Sequence, residues 1–289
     1  MDKVIVTTFY HFINLPNFKI LKMPLMNFCN SYQLKGTILL AKEGINSTIS
    51  GDRVGIDSLY EYLNSEIGIK NLVYKESINE NHIFGKMKIN LKKEIVALGL
   101  ENLDVEGLKG EYISPKNWDD FISRDDVIVI DTRNKYETLL GTFENAIDSN
   151  TTSFRQFPKW VEDNLAKVEK NKKIAMFCTG GVRCEKSTAF LKSKGFENVY
   201  HLEGGILKYF EDTEAKAWKG SCFVFDNRVA LNKNLLADKN LHCAACSKAL
   251  DTNDIRRSAL ADKMICIECS MADPVSNHEI FDQQKTILR

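Results

Sequence analysis

The sequence predicts a mixed α/β and α+β protein made of three units. Strand and helix patterns alternate through residues 1–98, which is typical of a ferredoxin-like α+β sandwich. Apolar runs of the parallel-sheet type occur within residues 114–220, and two Cys-x-x-Cys pairs occur within 221–289. Residues 99–113 carry glycines and charges without periodicity, so we predict that they form a linker. A chain of 289 residues is long enough for two or three domains.

Composition indicates a globular protein of a reducing compartment. Apolar residues make up 44% of the chain, which is enough for ordinary hydrophobic cores. Uninterrupted apolar runs stay below the roughly 20 residues that a bilayer-spanning helix needs, and the first residues follow a strand pattern rather than a signal-peptide layout. The eight cysteines are clustered rather than spread as a disulfide framework. We therefore predict a cytoplasmic protein without membrane contact.

The first unit is predicted from its alternating periodicities. Apolar residues alternate in the segments that we predict as strands, and they recur at helical spacing between those segments. The predicted strands are residues 4–10, 36–41, 48–50 and 84–91, and the predicted helices are residues 54–67 and residues 18–32, the latter interrupted near Pro24. Folds of this kind commonly serve as RNA-facing modules, although a fold alone does not assign a function.

Lysines concentrate around the last predicted strand of this unit. They are Lys86, Lys88, Lys92 and Lys93. The first two alternate with apolar residues, so both should project from the solvent face of a half-buried strand. The chain carries 39 basic and 39 acidic residues, and such a neutral total can conceal a basic face that binds nucleic acid. The alternative interpretation is a solvated sheet edge that its lysines protect from aggregation.

Glu43 and Asn46 are candidate substrate-binding residues in the same unit. They flank Gly44, which permits a backbone turn, and they offer a carboxylate acceptor and an amide at the predicted loop. Such groups could contact a polar substrate at the loop. The alternative is a hairpin turn in which Asn46 caps its own backbone.

The segment from Cys178 to Arg183 carries the clearest chemical signal. Its residues are Cys178, Thr179, Gly180, Gly181, Val182 and Arg183, between an apolar run at 174–177 and a helix-like segment at 185–194. A cysteine at a strand-to-helix junction lies among backbone N–H groups that the helix leaves unpaired. Those donors, the helix dipole and Arg183 all favour the thiolate, which is the nucleophilic form. We therefore predict that Cys178 and Arg183 are catalytic.

Three further residues are candidates to support this loop. Asp131 and Arg133 end a predicted strand; they could contact the loop or, more conservatively, brace it through hydrogen bonds and charge pairing. Cys184 directly follows the loop and could form a disulfide that resolves an oxidised Cys178. An ordinary residue at a helix start is the equal alternative for Cys184.

The loop resembles the active-site loop of rhodanese domains, which carry sulfur as a cysteine persulfide. Arg183 follows Cys178 by five positions, as in rhodaneses, whereas the related phosphatase loop is one residue longer. The Asp-x-Arg sequence at 131–133 and the Leu-x-Gly-Gly sequence at 202–205 are also similar to rhodanese segments. The resemblance implies a rhodanese domain with a parallel sheet in the central unit.

Four sequence blocks extend a resemblance over most of the chain. Residues 35–46, 92–96, 178–186 and 218–226 look like the signatures of the bacterial tRNA uridine hydroxylase family. This resemblance implies an oxidoreductase that converts the wobble uridine of tRNA to 5-hydroxyuridine, with molecular oxygen as co-substrate and the anticodon arm of tRNA as partner. In such an enzyme Glu43 and Asn46 could contact the edge of a base that is held out of its stack. The sequence shows no flavin or NAD motif and no iron-binding facial triad.

Two other functions stay open at the level of the sequence. A rhodanese loop can pass persulfide sulfur from Cys178 to an acceptor, which would make the protein a sulfurtransferase. A non-catalytic scaffold with an unreactive Cys178 is the remaining hypothesis.

The last unit contains a predicted metal site. Its ligands are Cys243, Cys246, Cys266 and Cys269, in two pairs that 19 residues separate. This spacing matches a tetrahedral four-thiolate zinc site, and a site closed by four protein ligands indicates a structural role. The alternatives are a pair of redox-active dithiols and a degenerate site without metal. Three aromatic residues before the cysteines are predicted to fasten this unit to the central one or to complete its core: Trp218, Phe223 and Phe225.

Overall fold

The computed structural model describes residues 3–100, 103–238, 240–248, 250–261 and 264–272. Within these ranges, none of the helices is both long enough and apolar enough to cross a membrane. The end of the predicted last unit, from residue 273 onward, lies outside the described residues.

The first unit is a sheet with two helices on one face. Its elements are β1 (Val4–Phe12), α1 (Phe18–Ser31), β2 (Lys35–Ala41), β3 (Gly44–Gly51), α2 (Arg53–Ser65), β4 (Tyr74–Asn79) and β5 (Met87–Leu91). The strand order is β4-β1-β3-β2-β5, with antiparallel pairing except between β2 and β5. The order β1-α1-β2-β3-α2-β4 with these neighbours is the ferredoxin-like arrangement, so that prediction is confirmed.

Three details of this unit differ from the prediction. Helix α1 runs without a break through Pro24, with Leu25 and Cys29 fully buried against the sheet. Strand β3 is eight residues long and begins at Gly44, so most of the predicted loop is strand. Strand β4 was not predicted, because it is a sheet edge that is only partly buried and carries no clean alternation.

The sheet presents a polar face on the side opposite its helices. The buried residues Phe9 and Ile38 face the helices. On the opposite face, Thr8, Thr48 and Thr37 lie side by side, and we call these three residues the threonine row. Lys75 pairs with Thr8 at one end of the row, and Lys88 pairs with Thr37 at the other. Its Lys75 end lies against the central unit, because Lys75 Nζ donates to the carbonyl oxygen of Gly180.

The central unit is a parallel sheet with helices on both sides. Its elements are α3 (Val105–Leu108), β6 (Glu111–Ile113), α4 (Pro115–Ile122), β7 (Val127–Asp131), α5 (Lys135–Thr138), β8 (Gly141–Phe143), β9 (Ile147–Asp148), a 3₁₀ helix (Phe154–Gln156), α6 (Phe157–Asn164), β10 (Lys173–Phe177), α7 (Val182–Ser193), β11 (Val199–Leu202) and α8 (Gly205–Asp212). The strand order is β6-β11-β10-β7-β9, with every pair parallel. The predicted parallel sheet is therefore confirmed, and β10 is its middle strand.

The segment at 99–113 is more ordered than the linker that its composition predicts. It contains α3 and β6, and β6 pairs with β11 as the edge of the central sheet. A strand of three residues is too short to show periodicity, and its pairing partner lies some 90 residues further along the chain.

The last unit is small and adjoins the central one. The central unit ends with β12 (Trp218–Gly220), and the elements of the last unit are β13 (Cys222–Phe223), β14 (Ala230–Leu231), α9 (Thr252–Ala261) and α10 (Ile267–Ala272). Strand β12 pairs with β8, and Phe223 is fully buried with its ring 5.2 Å from that of Tyr136. Phe223 therefore joins the last unit to the central one, as predicted.

Candidate active site

The Cys178 loop lies at the carboxyl end of β10 and leads directly into α7. Open parallel sheets bind their ligands at this end of the strands. Gly181 has φ of 99°, a left-handed conformation that curls the loop, and its N–H donates to Sγ of Cys178 at 3.1 Å. Gly180 and Val182 are the partly exposed members of the loop, and a Cβ on Gly180 would meet nothing within 4 Å. The opening to solvent is therefore over Gly180.

Cys178 is arranged to be a thiolate. Burial opposes its ionisation, but a hydrogen bond from the Cys184 thiol, the charge of Arg183 and the N–H groups of Cys184 and Gly181 outweigh burial and lower the pKa of Cys178 to about 6. Burial and the neighbouring Cys178 raise the pKa of the Cys184 thiol well above its usual value. The shared proton therefore stays on Cys184, and the Cys184 thiol donates a hydrogen bond to the Cys178 thiolate.

Arg183 is fixed by a buried carboxylate that sequence analysis did not identify. Its two terminal nitrogens donate to the two carboxylate oxygens of Glu137 at 2.6 and 2.5 Å, and Thr179 Oγ1 donates to the same carboxylate at 3.3 Å. Burial opposes ionisation of Glu137, but the charge of Arg183 outweighs it and holds the pKa of Glu137 below its usual value. Bidentate pairing fixes the orientation of the guanidinium. The sequence feature that could have pointed to Glu137 is the capping box at the start of α5, which pairs Asn134 with Glu137.

Asp131 and Arg133 form a buried ion pair at the end of β7. Arg133 is fully buried and donates to both carboxylate oxygens of Asp131, with the shorter contact at 2.6 Å. It also donates to the carbonyl oxygen of Gly141, while Thr142 Oγ1 donates to Asp131. These contacts tie the end of β7 to β8 and do not involve residues 178–183, so the predicted bracing of the Cys178 loop stays a prediction.

The Gly204–Gly205 turn presses against the loop backbone. Gly205 has φ of 69°, and a Cβ at this position would lie 2.6 Å from the carbonyl oxygen of Cys178. Ile206 N–H donates to that oxygen at 3.0 Å, and Leu207 N–H donates to the carbonyl oxygen of Thr179 at 3.1 Å. The N-terminus of α8 therefore holds the loop from a second side.

The first unit covers part of the loop through side chains that sequence analysis missed. The Tyr10 hydroxyl donates to Glu185 at 2.8 Å. It lies so close to Gly181 that a Cβ added there would be only 2.9 Å from it. Lys75 Nζ donates to the carbonyl oxygen of Gly180 at 3.0 Å. Burial lowers the pKa of Lys75 to about 8, and the neighbouring Cys178 partly opposes that shift. Lys75 therefore brings an additional cation to the loop.

Glu43 joins the first unit to the central one, and Asn46 bonds within the first unit. Glu43 accepts from Ile95 N–H at 2.7 Å and pairs with the buried Lys186 at 2.8 Å, while Lys186 also pairs with Glu94 at 2.7 Å. Asn46 donates to the carbonyl oxygen of Ile95 at 3.1 Å rather than capping its own backbone. Glu43 is thus engaged in an interdomain ion pair, whereas Asn46 is engaged within the first unit.

The four predicted lysines lie at the surface, on and beside β5. Lys86, Lys88, Lys92 and Lys93 are all exposed. Lys86 and Lys88 line a cleft of about 470 Å³ together with Phe225. The cleft is continuous with the polar sheet face, because Thr37 lines it as well.

The predicted metal ligands come together in the last unit. The Sγ atoms of Cys243, Cys246, Cys266 and Cys269 all lie within 4.8 Å of one another, with 3.7 Å between those of Cys246 and Cys266. A tetrahedral ion with Zn–S bonds of about 2.3 Å separates its sulfurs by roughly 3.8 Å. The N–H of Cys266 donates to Sγ of Cys243, as expected where backbone amides support thiolates. The cluster is therefore able to hold a metal ion.

Comparisons with known proteins match two of these units. A family described as "UPF0176 acylphosphatase like domain" matches residues 4–95, and the family "Rhodanese-like domain" matches residues 114–212. A rhodanese-related protein from Thermoplasma volcanium is similar in structure, with 24% identity, a TM-score of 0.29, and coverage of 35% of this chain and 92% of that one.

Two curated relatives match nearly the whole chain. A tRNA uridine(34) hydroxylase of Wolbachia pipientis wMel is 48% identical over 92% of this chain and 96% of its own length. A protein of the same name from the Wolbachia of Culex pipiens is also 48% identical, over 92% of this chain and 94% of its own length. Identity at this level over such a length establishes common membership. The chain belongs to the tRNA uridine(34) hydroxylase family.

Proposed function

We propose that this chain hydroxylates the uridine at position 34 of tRNA to 5-hydroxyuridine, and that it does so in the cytoplasm. The observation that carries the proposal is the 48% identity over 92% of the chain with a relative of that name. The geometry supports it, because a loop that lowers the pKa of Cys178 supplies a nucleophile for the base.

The proposed chemistry begins with addition of Cys178 Sγ to C6 of the uracil ring. The S–C6 bond forms as the C5–C6 π bond breaks, and its electron pair makes C5 nucleophilic. C5 attacks molecular oxygen; one oxygen atom stays on C5 as a hydroxyl and the other leaves as water. Two thiols of a cellular reductant supply two electrons and two protons and become a disulfide. Loss of the C5 proton and of Cys178 then restores the double bond.

Arg183 and Lys75 suit this chemistry electrostatically. Addition to the ring places negative charge on the uracil carbonyl oxygens, and fixed donors stabilise such charge where it develops. Arg183 is held in one orientation by Glu137, and Lys75 is held by Gly180. We assign both side chains to stabilisation of the ring adduct.

The polar sheet face is the surface that we assign to tRNA. The threonine row connects Lys75, beside the loop, with Lys88 at the far edge of the sheet. Hydroxyl and ammonium groups contact phosphates and ribose hydroxyls of RNA. The exposed lysines that would add positive charge to this surface are Lys86, Lys88, Lys92 and Lys93. The anticodon arm would lie across this face with its loop toward Cys178.

We assign zinc to the four-cysteine cluster, as a structural ion. Four thiolates leave no open position for water or substrate. We expect the purified protein to hold one zinc ion per chain. Cys266→Ser should lose this ion and should make the last unit sensitive to protease, since structural zinc contributes about 10 kcal/mol to the folding free energy of small modules. Cys178→Ser, outside the cluster, should leave the metal content unchanged. Full zinc content in Cys266→Ser would contradict the assignment.

The proposed function is tested by mass spectrometry of tRNA nucleosides. Cells without this protein should lack 5-hydroxyuridine and its derivatives, and expression of the wild-type chain should restore them. The purified protein should also form 5-hydroxyuridine on tRNA when oxygen and a thiol reductant are present. Unchanged 5-hydroxyuridine with a fall in thiolated nucleosides would instead favour sulfur transfer, which is the direct chemistry of a rhodanese loop.

A further inference from the structure

Phe225 is an exposed aromatic residue in an otherwise buried segment. Its side chain is 51% exposed, whereas Phe223 is fully buried and Val224 is 4% exposed. Phe223 already joins the last unit to the central one, so Phe225 is not needed for the core role that its sequence suggests. An aromatic ring left open to solvent between buried neighbours is a candidate contact for a ligand.

The segment that carries Phe225 is held in place by polar contacts with the first unit. Asn227 N–H donates to the carbonyl oxygen of Ile83 at 3.4 Å. Arg228 donates to Ser77 Oγ of β4 at 3.1 Å and pairs with Asp226 at 2.7 Å. The ring is therefore presented from a fixed backbone, which lowers the entropy cost of binding a ligand.

The surroundings of the ring are cationic and polar. It lines the cleft of about 470 Å³, whose other described lining residues are Thr37, Phe84, Gly85, Lys86, Lys88 and Asn227. Two lysines and no acidic side chain occur among these described residues. A cleft of this composition complements an anion that carries a flat apolar group, and a nucleotide has both parts.

Phe225 also lies next to a residue of the Cys178 loop. The Arg183 guanidinium carbon lies 5.9 Å from the centre of the Phe225 ring. Arg183 is the same side chain that lowers the pKa of Cys178. A base on Phe225 would therefore be a close neighbour of a base at the loop.

We propose that Phe225 is a stacking platform for a nucleobase that neighbours the reacting uridine, with Lys86 and Lys88 at the phosphates beside it. The inference rests on the proposed function, because it takes a single-stranded RNA loop as the ligand. Bases that are splayed out of a loop commonly stack on aromatic side chains. The platform holds the loop open, so that the uridine reaches Cys178 while its neighbour stays bound outside.

The test compares Phe225→Leu with Phe225→Trp in the full chain. Leucine keeps an apolar side chain but removes the π face, whereas tryptophan keeps that face. Because stacking of one base on an aromatic side chain contributes about 1–3 kcal/mol, Phe225→Leu should weaken binding of an RNA stem-loop with a central loop uridine by about 5- to 150-fold. Phe225→Trp should bind close to wild type, and its tryptophan fluorescence should be quenched by the RNA.

Two controls separate stacking from charge and from general destabilisation. Tyr32→Leu alters an exposed aromatic at the end of α1, on the opposite side of the sheet, and should leave RNA binding unchanged. Lys88→Ala should reduce the salt dependence of binding, while Phe225→Leu should leave that dependence as it is.

Wild-type affinity in Phe225→Leu, or no quenching in Phe225→Trp, would overturn the inference. These outcomes are distinct from failure of the proposed function, in which the wild-type chain itself would form no 5-hydroxyuridine.

Discussion

Replacement of Cys178 by serine is expected to abolish formation of 5-hydroxyuridine, with a loss of at least about 10³-fold in rate. The serine hydroxyl is nearly isosteric with the thiol, but the loop cannot ionise it at neutral pH. The tRNA-binding surface is untouched by the change, so the affinity for tRNA should stay close to wild type. Hydroxylation of tRNA in vitro and binding to tRNA, measured side by side, check both expectations.

Cys29→Ala is the matched control for this variant. Cys29 is also fully buried, but burial alone raises its pKa to about 12, so its thiol stays protonated. Its loss should leave the rate unchanged. Full activity in Cys178→Ser would exclude covalent addition to the base.

The lowered pKa of the Cys178 thiol determines the direction in which the rate of hydroxylation changes with pH. The pKa of Cys178 is lowered to about 6, so the thiolate is lost as the pH falls through that value. Hydroxylation should therefore rise with pH through about 6, and the ultraviolet absorbance of the thiolate should follow the same curve in the wild type. Cys178→Ser should lack that component of the absorbance. A midpoint near the ordinary thiol value would contradict the assigned role of the loop.

Replacement of Glu137 by alanine is expected to be the most destabilising change at the site. It leaves the Arg183 guanidinium buried without its bidentate partner, and breaking a buried ion pair in this way costs about 3–5 kcal/mol. Arg183 would then also lose its fixed orientation, so activity should fall even at temperatures where the variant is folded. Chemical denaturation and hydroxylation assays measure the two effects.

Glu137→Gln and Asp57→Ala are the controls for this prediction. Glutamine keeps the shape and part of the hydrogen bonding, so it should lose less stability than alanine. Asp57→Ala removes the carboxylate of an exposed Arg53–Asp57 pair, which should change stability little because solvent screens such pairs. Equal stability of Glu137→Ala and Asp57→Ala would mean that the buried pair does not hold the loop.

Sequence periodicity predicted most of the first unit and missed what packing alone decides. Strands β1, β2 and β5 and helices α1 and α2 follow the predicted pattern closely. Helix α1 continues through Pro24 because the free energy gained by burying its apolar face exceeds the local free-energy cost of proline. Strand β4 is a half-exposed edge whose residues show no period that a sequence could reveal.

The sequence by itself determined the features that depend on spacing along the chain. The Cys178 loop and the two cysteine pairs are local motifs, because each turn needs particular residues at fixed short intervals. Tertiary structure alone decided which distant side chains complete the site. Glu137 reaches Arg183 across 46 positions, and Lys75 reaches the loop across 105. Such contacts follow from strand order and domain packing, and no local pattern encodes them.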